Sequence, residues 1–151
     1  MKPRPPEVAI SSSQRALRVP RKALAKLAAF VSQRQGVRLA ELDLAIVSGG
    51  EIAAVNRRFL RHAGDTDVIS FDVSDPTTGG LSVQLVVCAE VAVRQAPHHG
   101  NTPQQELMVY VIHGLLHHMG YDDTTVRSAA AMHARQDELL REFLAARRRA
   151  R

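Results

Sequence analysis

The segment Val111-Ile112-His113-Gly114-Leu115-Leu116-His117-His118-Met119-Gly120-Tyr121-Asp122-Asp123 is the densest in chemistry along the chain, and the fold can be built outward from it. His113 and His117 stand four residues apart in a strongly helical stretch. At that spacing they share one face, with Cβ atoms about 5–6 Å apart. Both imidazoles can then reach one ion, at about 2.0–2.1 Å if it is zinc. Gly120 can adopt a left-handed conformation and turn the chain back. Asp123 is thereby offered to the same ion from the return stroke. The pattern is two ligands on a helix, a glycine turn and a third ligand beyond it. Three protein ligands leave a further position for water, as in catalytic rather than closed structural metal sites. Asp123 also has a second reading, because an aspartate just ahead of Thr124-Thr125-Val126-Arg127 is a good helix N-cap.

The other histidines carry weaker signals. His118 lies about 140° around the helix from His113 and is expected to point elsewhere. His133 falls on the last helix, where it either approaches the site or lies on the surface. His98 and His99 sit in a loop as reserve ligands, and His62 is read as a loop residue. Cys88 ends an apolar strand and is expected to be a small buried hydrophobe.

Around this segment the chain alternates between strand and helix signals. Thr102 can cap, and Pro103 can open, a long helix expected over 103–118, with Gly120 ending it and a last helix over 125–146. Upstream, residues 7–13 read as a first strand. After Pro20, Leu24, Leu27, Ala28 and Val31 recur at helical spacing, and Gly36 closes that helix. A strand is expected over 42–47, a short helix over 51–59, a strand over 67–73 and another at Leu81–Cys88. A short helix over 90–94 and a loop over 96–103 complete the order. The fold class expected is α+β, with α/β as the neighbouring option: a small mixed sheet of about four strands packed with helices, the metal site on a long helix. One domain is expected over 1–151, with 1–6 as a lead-in and 147–151 as a basic tail.

Composition narrows the options. A chain of 151 residues that is 45% hydrophobic can bury a core without staples. A single cysteine excludes a disulfide framework and a Cys-based zinc finger. No apolar run approaches the ~18 residues that span a bilayer. The opening MKPRPPEVAI lacks the apolar stretch of a secretory signal, so a cytoplasmic protein is expected. The net charge of +5 is unevenly spread: +7 over residues 1–34, −6 over 35–140 and +4 over 141–151. Basic ends around an acidic centre suit a protein that meets a polyanion at its edges and holds a cation inside, although terminal basic residues can also serve solubility alone.

The segment His113-Gly114-Leu115-Leu116-His117-His118-Met119-Gly120-Tyr121-Asp122 resembles the signature of the YbeY family of rRNA-maturation endoribonucleases. A second block agrees, with Asn56-Arg57-Arg58-Phe59 leading to Thr66-Asp67-Val68-Ile69-Ser70-Phe71. A third and weaker block is Val86-Val87-Cys88-Ala89-Glu90-Val91-Ala92. This sequence departs from the family in three places. Asp123 stands where a third histidine is usual. Leu60 stands where the family places an arginine, with Arg61 one residue later. The Gly-Asp/Glu-Ile opening of the third block is replaced by Val83-Gln84-Leu85. A carboxylate is a legitimate zinc ligand, though it makes the ion a weaker Lewis acid and favours harder metals.

The resemblance implies a small sheet with the metal helix packed on it. It implies metal-dependent RNA cleavage with one Zn2+, or another divalent transition metal, held by His113, His117 and Asp123, and with a metal-bound water as the hydrolytic agent. Arg61 is the expected catalytic arginine, with Arg57 and Arg58 as RNA contacts. The implied partners are ribosomal RNA and the small ribosomal subunit, in 3′-end maturation and ribosome quality control. Two rivals stand beside it. A metalloprotease needs His-Glu-x-x-His, and here Gly114 occupies the glutamate position. A non-catalytic ribosome-binding factor would hold a structural metal with four protein ligands.

Overall fold

The computed structural model describes residues 4–60, 67–77 and 79–150. Arg61, His62 and Thr66 lie outside them. Strand β1 (Glu7–Ser12) leads through helix α1 (Arg21–Gln35) to strand β2 (Leu39–Val47). Helix α2 (Gly49–Val55) runs on into a π-helical turn at Asn56–Leu60. Strands β3 (Val68–Asp72) and β4 (Leu81–Cys88) follow, then helices α3 (Ala89–Gln95), α4 (Pro103–Leu116) and α5 (Val126–Arg149), with a 3-10 turn at Ala96–His99.

The four strands form one mixed sheet in the order β1-β2-β4-β3. The pairs β1–β2 and β2–β4 are parallel and β3–β4 is antiparallel. Parallel neighbours need a crossover, which α1 supplies between β1 and β2. Leu42, Leu44 and Ile46 of β2 and Val83, Leu85 and Val87 of β4 are buried on one face, while Glu41, Asp43 and Gln84 are exposed on the other. This alternation with period two turns one sheet face toward the helices. Helices α1 and α4 both contact the sheet, and α5 lies against α4 and α1. At the α1–α5 seam, the rings of Phe30 and Phe143 are 5.4 Å apart and Arg34 pairs with Glu142.

The expected strands and helices are all present, with shifted ends, and the loop expected over 96–103 begins instead as a 3-10 turn that holds His98 and His99. β2 begins at Leu39 rather than 42, because Leu39 is itself buried and paired to Leu81. The helix expected over 51–59 starts at Gly49, since Ser48 and Glu51 form a reciprocal capping box. It gives way at Asn56 to the π turn. α4 ends at Leu116, not 118: the Tyr121 N–H returns to the Leu116 carbonyl, and Gly120 takes φ +97°. α5 runs to Arg149 rather than 146, so Arg147, Arg148 and Arg149 of the expected tail are helical. Among the described residues no helix is long and apolar enough to cross a membrane.

α4 is buried nearly all round, the pattern of a helix enclosed between a sheet and another helix. Its tightest point is Gly114. A Cβ there would come 2.6 Å from Leu85 Cδ2 and 3.4 Å from Val68 Cγ2. Gly114 therefore faces the sheet. Gly114→Glu, which would complete a His-Glu-x-x-His arrangement, is expected to bury an overlarge carboxylate in the core. A loss of about 4 kcal/mol or more, read as a collapsed thermal melt with no gain of protease activity, is the expected result.

Candidate metal centre

His113 sits in the last turn of α4 and His117 at its C-cap, still in helical conformation at φ −56° and ψ −28°. Their Nε2 atoms are 3.2 Å apart and their rings lie edge to face at 80°. The turn through Gly120 brings Asp123 Oδ2 to 3.7 Å from His117 Nε2 and 4.0 Å from His113 Nε2. One ligand atom from each residue lies within 4.8 Å of the others, so the three can hold a metal ion.

The capping alternative for Asp123 does not hold. The N-cap of α5 is Thr125, whose hydroxyl accepts from the Ser128 N–H in a capping box. Asp122 is occupied with its own turn, accepting from the Thr124 N–H at 3.1 Å and the Thr124 hydroxyl at 2.9 Å. Asp123, with its side chain 48% exposed, is left facing the histidines.

His113 is oriented from behind. Its Nδ1 lies 2.9 Å from Oε1 of Gln136 on α5. A carbonyl oxygen only accepts, so with Oε1 as its partner Nδ1 carries the proton and Nε2 is left with a lone pair on the side of His117 and Asp123. Burial, reinforced by the neighbouring His117, pushes the His113 imidazole below its ordinary pKa, although the Gln136 bond opposes this. The neutral form that binds metals is thereby favoured.

His118 points toward the sheet, as its angular offset predicts, with Nε2 3.0 Å from the Ser70 hydroxyl on β3. His133 does approach: it is exposed, yet its ring centroid is 6.1 Å from that of His113. Cys88 is fully buried. Arg57 and Arg58 are exposed on the π turn. They are absent from the described residues lining the cleft beside His113. Arg61 falls outside the described residues.

That cleft, of about 560 Å³, opens beside His113 and His133 between α4 and α5. Asp67 lines it as well. Further along, Glu106 is fully buried, with Oε2 2.8 Å from His99 Nδ1 and Oε1 accepting from Asn101 Nδ2 at 2.9 Å. Burial and a hydrogen bond to Glu106 push the Tyr110 phenol well above its ordinary pKa. Gln136, Glu106 and the cleft were not anticipated from the sequence. Their available signal was polarity on an apolar stripe: Gln136 falls in line with Met132, Leu139, Leu140 and Phe143, all buried.

The family described as Endoribonuclease YbeY matches residues 7–144. The chain belongs to this family. Among similar YbeY proteins, that of Acidothermus cellulolyticus is 36% identical over 138 residues, covering 83% of this chain and 84% of the relative. The Nocardioides YbeY protein is 37% identical over 129 residues, covering 79% and 86%. Both are called endoribonucleases. A solution structure of a Thermotoga maritima protein superposes with a TM-score of 0.63 at 24% identity, covering 95% of this chain and 93% of that one, a likeness of fold.

Within this YbeY site the Gln136 contact makes a measurable demand. Gln136→Leu keeps the side-chain volume but removes the acceptor, and is expected to weaken metal affinity by about 10–100-fold. Competition with a chromophoric chelator, alongside a melting curve to verify folding, reads the change.

Proposed function

We propose that this protein is a metal-dependent endoribonuclease that processes the 3′ end of small-subunit ribosomal RNA, acting in the cytoplasm and in ribosome quality control. The observation that carries the reading is the His113–His117–Asp123 group, whose His113 lines a cleft, in a chain of the YbeY family. The donor set fits a divalent ion: two imidazoles, one already oriented through Gln136, and a carboxylate on an exposed return loop. Zn2+ suits this set, and the carboxylate extends the range toward harder ions.

An ion held there supplies Lewis acidity and a means of activating water near neutral pH. The protein's own part is positional. Gln136 holds the His113 tautomer, and the Gly120 turn delivers Asp123. Three ligands, with His133 outside the group, leave coordination free for substrate and water. This favours a catalytic over a structural metal. Gly114, packed against Leu85, leaves no place for the glutamate base of a metalloprotease. Arg57, Arg58 and Arg61 are proposed to steady the RNA phosphates, and the basic chain ends to attract the backbone, so that binding weakens as salt rises.

The test pairs metal content with cleavage of an RNA carrying the small-subunit 3′ end. Wild type is expected to hold about one ion per chain and to cut. His117→Ala and Asp123→Ala should lose the ion and cutting together. An Asp123→Ala protein that keeps both would remove Asp123 from the ligand set. A metal-loaded wild type that binds this RNA without cutting it would replace the nuclease with a binding factor.

A further inference from the structure

The cleft between α4 and α5 extends well past the metal group. Its near end is His113 and His133, and its far part is lined by Asn101, Glu106, Tyr110 and Arg141. From His133 to Arg141 is eight residues of α5, about 12 Å along the helix axis. Its volume of about 560 Å³ falls in the range of sites that enclose a small organic group.

Three features of the far part call for a ligand. Arg141 is exposed, and among the described residues no carboxylate lies within ion-pairing distance of it, although Asp137 one turn earlier lines the same cleft. A guanidinium in that condition is a bidentate donor for a phosphodiester. The second feature is the buried Glu106. A carboxylate without exposure is costly to bury unless its oxygens are satisfied. Here they are satisfied by groups that also face the cleft: Asn101 Nδ2 on one oxygen, His99 Nδ1 on the other, with the Tyr110 phenol beside them. Glu106 thereby fixes the orientation of both rim side chains. Asn101 Oδ1 and His99 Nε2 remain without partners among the described residues. The third feature is the apolar wall supplied by Val109 and Leu140.

We propose that this far part is a nucleotide subsite that seats the RNA residue next to the cut bond. Arg141 takes its phosphate, Val109 and Leu140 flank the base, and Asn101 with His99 meets the base edge. Glu106 acts through Asn101 and His99 as a positioning residue. The acidic middle of the cleft, at Asp67 and Asp137, disfavours a run of phosphates along its length and suits one phosphate at each end. The subsite rests on RNA being the substrate, and it adds a source of base preference that the small aromatic content does not provide.

The experiment measures binding of short single-stranded RNAs, varied one base at a time, to full-length wild type, Arg141→Gln and Asn101→Ala at several salt concentrations. Fluorescence anisotropy is read with and without added Zn2+, and melting curves verify folding. Arg141→Gln is expected to weaken binding to all the RNAs alike and to lower the slope of log K against log salt by about 0.7. Asn101→Ala is expected to keep that slope and to remove a preference between bases of about fivefold or more at one position. An unchanged slope in Arg141→Gln, or a wild type that binds every base equally, overturns the subsite. Cleavage is scored separately on the same proteins. RNA that is cut while both variants bind as wild type sinks the subsite and leaves the nuclease. RNA that is bound with the expected losses and never cut leaves only a nucleotide-binding site at Arg141 and Asn101, and overturns both the nuclease and the placing of that site beside a cut bond.

Discussion

The close contact of α4 with the sheet at Gly114 sets the geometry of everything around it. A residue with a Cβ at this point would press on Leu85 and Val68, so the helix axis can approach the strands only because the side chain is missing. That contact keeps the Gly114 face of the helix turned to the strands. Positions four apart share a face, so His118 follows Gly114 toward β3 and meets Ser70. His113 and His117 are carried round to the side where α5 and the return loop arrive. The orientation of the metal group is thus a consequence of helix–sheet packing.

α5 closes the other side and introduces polar atoms into what would otherwise be an apolar seam. Met132, Leu139, Leu140 and Phe143 are buried along it, and Gln136 interrupts them. An amide in that place is tolerated because it has a partner, and its partner is the imidazole it orients. Glu106 on α4 follows the same rule deeper in the cleft, where its oxygens are met by Asn101 and His99. No buried side-chain polar atom lacks a hydrogen-bond partner among the described residues. The two helices are held by hydrophobic contact, and the chemistry sits where that contact is replaced by matched polar pairs.

The three ligand residues differ in setting. His113 is largely enclosed, its side chain 18% exposed and its protonation disfavoured by burial, whereas the Asp123 side chain is 48% exposed on a turn. The one is held in place by the packing of α4 against α5, and the other stands on the return loop with more room to move.

The order of strands and helices was legible because period and punctuation agreed at nearly every element, from the apolar run of β4 to the Thr102–Pro103 opening of α4. The His113–His117 face was legible for the same reason, since four-residue spacing on a helix is a local property. Element ends were less so: Tyr121 draws α4 to a close at Leu116 through a bond the periodicity does not encode. Asp123 could be read as ligand or cap, and it took the competition among Asp122, Thr125 and Ser128 for the α5 terminus to remove the cap. Gln136 acquires its role from His113 on a neighbouring helix, Glu106 from His99 and Asn101 in the turn and loop just before α4, and the cleft exists only between α4 and α5. What the sequence determined by itself is local: helix, turn and ligand spacing follow from interactions within a few residues. What only the tertiary structure decided is which buried polar groups meet across helices, because those partners are chosen by packing rather than by proximity along the chain.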